Sequence, residues 1–185
     1  MDHCDECQFD FDAQSPANIP SAIRALGGRF AMRISNERSN PALDLTIRTR
    51  PGPRIWSALE YACHVRDVFL VERERVYTSL VQECPTVPPM YRDERASLAR
   101  YAEEEPGQVG HQVKLAAEML AWAFEGLDPA QWQRHLVCNF PEPCERTVFW
   151  LGCQAVHEGE HHLRDIDAAL RSAAATPEVR SHAAP

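Results

Sequence analysis

Residues 155–166, AVHEGEHHLRDI, constrain this chain more than any other stretch. They set His157, Glu158, Glu160, His161 and His162 within six positions and contain no proline. Such a run reads as helix, and on a helix residues four apart share a face. Two ligand-like pairs result, His157/His161 and Glu158/His162. Which pair points inward decides what the helix can do.

The flanking residues bear on that choice. Across residues 145–175 an apolar stripe runs through Val148, Leu151 and Ala155 and resumes at Ile166 and Ala169 or Leu170. Steps of three and four carried through the motif land on Glu158 and His162. The neighbouring stripe, Trp150, Cys153, His157, His161 and Arg164, is mixed and ends polar. The two stripes lie only about 100° apart. The pattern therefore favours Glu158/His162 and leaves His157/His161 as the alternative pair.

Three more long helices are expected. Residues 20–33 start at Pro20-Ser21 and place Ile23, Leu26, Phe30 and Met32 near helical spacing, weakened by Gly27-Gly28. Residues 56–82 follow Pro53 and lack Gly and Pro, with Tyr61, His64, Val68 and Val71 on one stripe. Residues 109–127 carry Val113, Ala116, Ala117, Leu120 and Phe124 on one face, with His111 at the surface. Short helices are expected around residues 93–103 and 128–135, a Pro-rich turn over 139–144, and a long loop over 35–54. No internal repeat and no strand-like alternation of useful length occurs. The expected fold is all-α, an antiparallel four-helix bundle with long inter-helix loops. It would occupy residues 16–175, after an N-terminal arm (1–15) and before a disordered tail (176–185).

With 185 residues and 44% apolar content the chain can build one core. A net charge of −8 argues against nucleic acid or an anionic membrane as partner. There is no run of 18 apolar residues and the N-terminus is acidic, so a cytoplasmic protein is expected. Cysteines at 4, 7, 63, 84, 138, 144 and 153 are odd in number, which disfavours a disulfide framework. Cys4-x-x-Cys7 could begin a zinc ribbon, but no second C-x-x-C follows, and Cys138 and Cys144 are distant. The simpler reading is two thiols in a loosely held arm.

An inward Glu158 has a consequence. An unpaired buried carboxylate costs several kcal/mol, so it needs a cation or a strong hydrogen-bond partner. A carboxylate and an imidazole at i, i+4, plus His64 from a facing helix, have the composition of a three-ligand metal site. Two imidazoles and one carboxylate suit zinc first, with iron, nickel or manganese as alternatives. The competing reading is a solvated helix face of i, i+4 charges.

Two stretches, WSALEYACHVRDV (residues 56–68) and HEGEHHLRDID (residues 157–167), resemble the second and fourth helices of the DinB/YfiT-like superfamily of metal-binding four-helix bundles. The resemblance spans about residues 19–170. It implies a divalent metal on His64, Glu158 and His162. Most of the superfamily has histidine where Glu158 stands. Glutamate there resembles the branch of mycothiol-dependent maleylpyruvate isomerase and related thiol transferases. The implied enzyme would activate a low-molecular-weight thiol such as mycothiol for S-transfer or thiol-assisted isomerisation of a small-molecule substrate. The alternatives are a thiol-independent metal-water enzyme and a non-enzymatic small-molecule or metal-binding bundle. His157, His161, Asp67 and Asp165 are the supporting or substitute ligands, and Trp56, Tyr61 and Arg66 the expected substrate contacts. A homodimer is compatible with the sequence.

Overall fold

A computed structural model of the chain describes residues 3–35, 40–139 and 142–175. The expected tail, 176–185, lies outside the described residues. Four long helices form the body: α1 (Ile19–Ile34), α3 (Ala58–Val81), α5 (Pro106–Glu125) and α7 (Val148–Ala174). They pack as a closed ring, α1 on α5, α5 on α3, α3 on α7 and α7 back on α1. Each turns its apolar stripe to one shared core, with Ile23, Phe30, Leu59, Phe69, Leu120, Phe124, Leu151 and Ile166 fully buried.

Local chemistry fixes the helix starts. Ser57 caps α3: its hydroxyl accepts from the Glu60 amide at 3.2 Å, and the Glu60 carboxylate accepts from the Ser57 amide at 3.0 Å. Arg50 grips the same carboxylate, donating from Nε at 2.8 Å. This anchors the end of α3 that carries His64. Thr147 caps α7, accepting from the Trp150 amide at 3.1 Å.

Two expectations change. The region expected to be a long loop (35–54) contains α2 (Pro41–Arg48), started by Asn40, whose side chain accepts from the amides of Ala42 and Leu43, and closed by an Asp44–Arg48 pair at 2.9 Å. The chain is also not purely helical. A hairpin joins β1 (His3–Cys4) to β2 (Phe9–Asp10). A second sheet has the order β3-β4-β5, with β3 (Thr86–Val87) parallel to β4 (His135–Asn139), which is antiparallel to β5 (Pro143–Thr147). It takes up the end of the helix expected over 128–135, which shortens to α6 (Pro129–Trp132), and the first residues of the helix expected from 145. Between β3 and β4, the short helix expected around residues 93–103 splits into α4 (Arg92–Leu98) and a 3₁₀ turn at Tyr101–Glu103.

The glycine pair in α1 has a packing reason. A Cβ at Gly27 would stand 2.7 Å from Ala117 Cβ and 3.2 Å from Lys114 Cα, so α1 and α5 touch there almost backbone to backbone. Gly28 has no neighbour within 4 Å of such an atom. Gly27→Ala is expected to destabilise by about 1–3 kcal/mol through overpacking. Gly28→Ala should be neutral or stabilise by up to about 1 kcal/mol, as in any helix interior. Urea denaturation of the two variants checks the contrast.

Candidate metal centre

The third and fourth turns of α7 (Val148–Ala174) face the second turn of α3 (Ala58–Val81). His64 and His162 are 4% and 7% exposed, and their rings meet edge to face at 4.9 Å between centroids. Glu158 lies between them. Its Oε2 is 3.6 Å from His64 Nε2 and 3.3 Å from His162 Nε2, while its Oε1 accepts from Gln154 Nε2 at 2.8 Å. One donor atom from each of the three residues falls within a 4.8 Å cluster. Two imidazole nitrogens and a carboxylate oxygen thus converge from facing helices at a buried point, a donor set that fits a divalent metal.

Electrostatics agree with a site short of positive charge. Burial would raise the Glu158 pKa, but hydrogen bonds from His162 and His64 hold it well below the carboxylate range. Burial would lower that of His162, yet Asp165 and Glu158 together push it up to about 9. Burial wins at His64, whose pKa falls despite Glu158, and whose Nδ1 is buried without a partner. One carboxylate therefore faces one protonated and one neutral imidazole. The difference comes from Asp165, which accepts from His162 Nδ1 at 2.8 Å and has no counterpart at His64.

The other expected residues sort clearly. Asp165 is placed to orient His162, as carboxylates commonly do for ligating imidazoles. Asp67 is not so placed toward His64: it accepts from Tyr101 Oη and Arg66 Nε, both at 2.8 Å. Arg66 is committed as well, donating to Glu104 at 2.6 Å and Gln112 at 2.7 Å, so it is not a free anion clamp. The Trp56 ring lies 5.2 Å from His64 and the Tyr61 ring 5.3 Å from His162, forming an aromatic wall beside the cluster. His157 and His161 point elsewhere, into a second cluster with Cys4 and Cys7. Gln154 escaped the sequence reading, although it stands one turn before Glu158, where an i, i+4 amide can hold a carboxylate. Glu72, two turns past His64 on α3, also escaped; burial pushes its pKa up to about 7 against the pull of Arg75.

Comparison with solved structures places this geometry in a known fold. The chain superposes on YfiT from Bacillus subtilis, described as "a probable metal-dependent hydrolase with an unusual four-helix bundle topology", with a TM-score of 0.70 at 15% identity. The match covers 84% of this chain and 86% of that one. The fold is thus that of a YfiT-type four-helix bundle. No protein-family model and no curated protein sequence matches the chain. Among the described residues, no helix is long and apolar enough to cross a membrane.

In metal-free protein, histidine NMR should show His162 titrating near 9 and His64 below the usual imidazole value of 6.5. Because the His162 pKa is raised in the fold, its charge supports the metal-free fold fully below 6.5, and that support fades as pH rises through about 9. Asp165→Asn should bring the His162 titration down by a unit or more, roughly the contribution of one charged hydrogen bond. An unchanged titration in that variant would remove Asp165 from its assigned place.

Proposed function

We propose that this chain is a divalent-metal-dependent enzyme using His64, Glu158 and His162 as ligands and a low-molecular-weight thiol of the mycothiol type as co-substrate. The observation that carries the reading is the convergence of two imidazole nitrogens and one carboxylate oxygen from α3 and α7 at a buried point. Three protein ligands leave a coordination position for a thiol, water or substrate, the pattern of catalytic sites. Zinc is the first choice for this set, with iron, nickel or manganese also compatible. What such a metal supplies is Lewis acidity, which favours the deprotonated form of a thiol or water bound to it near neutral pH.

The chain's own residues have separate tasks. His162 is held by Asp165 through Nδ1, which leaves Nε2 directed at the cluster. Gln154 fixes one oxygen of Glu158, so that the other faces the two imidazoles. Trp56 and Tyr61 shield the edge of the site and offer apolar surface to a small substrate. Glutamate at 158 supports the thiol-using branch only through the resemblance to that branch at a position where most of the superfamily has histidine. The arginine-rich composition, with Lys114 the only lysine, is typical of GC-rich genomes and agrees with a mycothiol-making host. S-transfer to an electrophile and thiol-assisted isomerisation are the two reactions this reading allows. Cytoplasmic action on a small molecule, without nucleic acid or membrane, belongs to the same reading.

A second reading, hydrolysis by a metal-activated water without thiol, is favoured by the likeness to YfiT, itself described as a probable metal-dependent hydrolase. Thiol dependence separates the two. Full-length protein supplied with mycothiol, glutathione or bacillithiol and a model electrophile should consume at least one thiol, lose that activity on chelation and recover it with zinc. Glu158→Gln should retain less than about a tenth of the turnover, as expected when a ligand is lost. Turnover indifferent to thiol would favour the hydrolase. Tight binding of these compounds without product would point to a binding protein.

A further inference from the structure

The other ligand-bearing stripe of α7 faces the N-terminal hairpin. Pairing of Cys4 with Phe9 folds residues 5–8 into a tight turn, closed by the Gln8 amide donating to the Cys4 carbonyl at 2.7 Å. Gln8 takes a left-handed φ of 58° to make it. The turn sets both thiols of Cys-x-x-Cys against α7, Cys7 only 3% exposed, with Phe9 and Phe11 buried beside it. The arm is therefore packed down, in contrast to the loose arm expected from sequence. Cys4 Sγ, Cys7 Sγ and one ring nitrogen each of His157 and His161 fall within 4.8 Å of one another.

Two observations on the histidines point to a ligand. Both ring nitrogens of His157 are buried without a hydrogen-bond partner, and its ring packs against those of Phe9 and Phe11 at 5.4 and 5.3 Å. A neutral imidazole enclosed in this way leaves a donor and an acceptor unmet, which a coordinated cation would relieve at one nitrogen. His161 is turned so that Nδ1 lies 3.8 Å from Cys4 Sγ while Nε2 faces Glu6 at 3.4 Å and Asp165 at 3.7 Å. One nitrogen toward the thiols and the other toward carboxylates is how an imidazole ligand is commonly held.

We propose that Cys4, Cys7, His157 and His161 form a second metal site, a four-coordinate zinc site that clips the N-terminal hairpin to α7. Two thiolates and two imidazoles make a closed Cys2His2 set with no open position, so the site is structural. Zinc(II) binding releases two thiol protons and leaves two thiolates balancing the cation, without oxidant or reductant. A Cys4–Cys7 disulfide, the competing use of the motif, would leave His157 unmet. The site also bears on its neighbour: Asp165 contacts His161 at 3.7 Å and His162 at 2.8 Å, so one carboxylate lies between the two clusters.

Cobalt(II) substitution of the full chain, reduced and in thiol-free buffer, tests this without relying on a variant. The His64–Glu158–His162 cluster contains no sulfur, so a thiolate-to-cobalt charge-transfer band reports the second site alone. The wild type should show the band, Cys4→Ser and His157→Gln should lose it, and His64→Ala should keep it while binding about one metal equivalent less. Cys4 and Cys7 should resist alkylation until a chelator is added. Absence of the band in wild type, its persistence in Cys4→Ser, or an intact mass showing Cys4 and Cys7 joined as a disulfide would each overturn the assignment.

Discussion

The half-buried carboxylate of Glu158 is the group on which the arrangement depends. A carboxylate set between two helices must find compensation, and here it faces a protonated imidazole on α7 and a neutral one on α3. That demand ties the spacing of α3 and α7 to the chemistry they carry. The adjoining face of α7 permits it: a Cβ at Gly159 would stand 2.6 Å from Leu26 Cδ1, so α1 is in close contact with the helix one residue on from Glu158. Ion pairs from α1, Arg33 to Asp167 at 2.8 Å and Arg29 to Glu160, fix α7 from the same side. Being partly exposed, these pairs set orientation more than stability.

The long helices and the candidate site were legible because both rest on one signal, the 3.6-residue period. The stripe Val148–Leu151–Ala155 continues through Glu158 and His162 to Ile166, and His162 is as buried as its apolar neighbours imply. Features without that period were harder to read. Strands β4 and β5 have five residues each, and their sheet also needs β3 from far along the chain. Helix α2 has a good cap in Asn40 but only eight residues, too few for periodicity to stand out from the surrounding prolines and arginines. Asp67 and Asp165 illustrate the limit at the level of single residues. Each follows a histidine by three positions, yet only Asp165 meets its histidine, because Tyr101 and Arg66 claim Asp67 from the side.

The N-terminal arm was the largest discrepancy, and its cause is long-range. Cys4-x-x-Cys7 lacked a second ligand pair when only cysteine spacing was considered; the histidines beside it lie about 150 residues away, on a helix stripe that looked mixed and polar. Two adjacent stripes of α7 thus face two different donor sets, nitrogen with oxygen at one and, with the hairpin cysteines, nitrogen with sulfur at the other. In our account the first supports chemistry and the second fixes the helix that presents it, with Asp165 shared between them.

The proposed chemistry requires a metal held by His64, Glu158 and His162. Anomalous diffraction at the absorption edge of the metal found in the purified protein tests it most directly. A peak is expected within bonding distance, about 2.0–2.2 Å for zinc, of both imidazoles and the Glu158 carboxylate. An anomalous map with no peak among these three residues, in crystals of protein shown to contain metal, would contradict it.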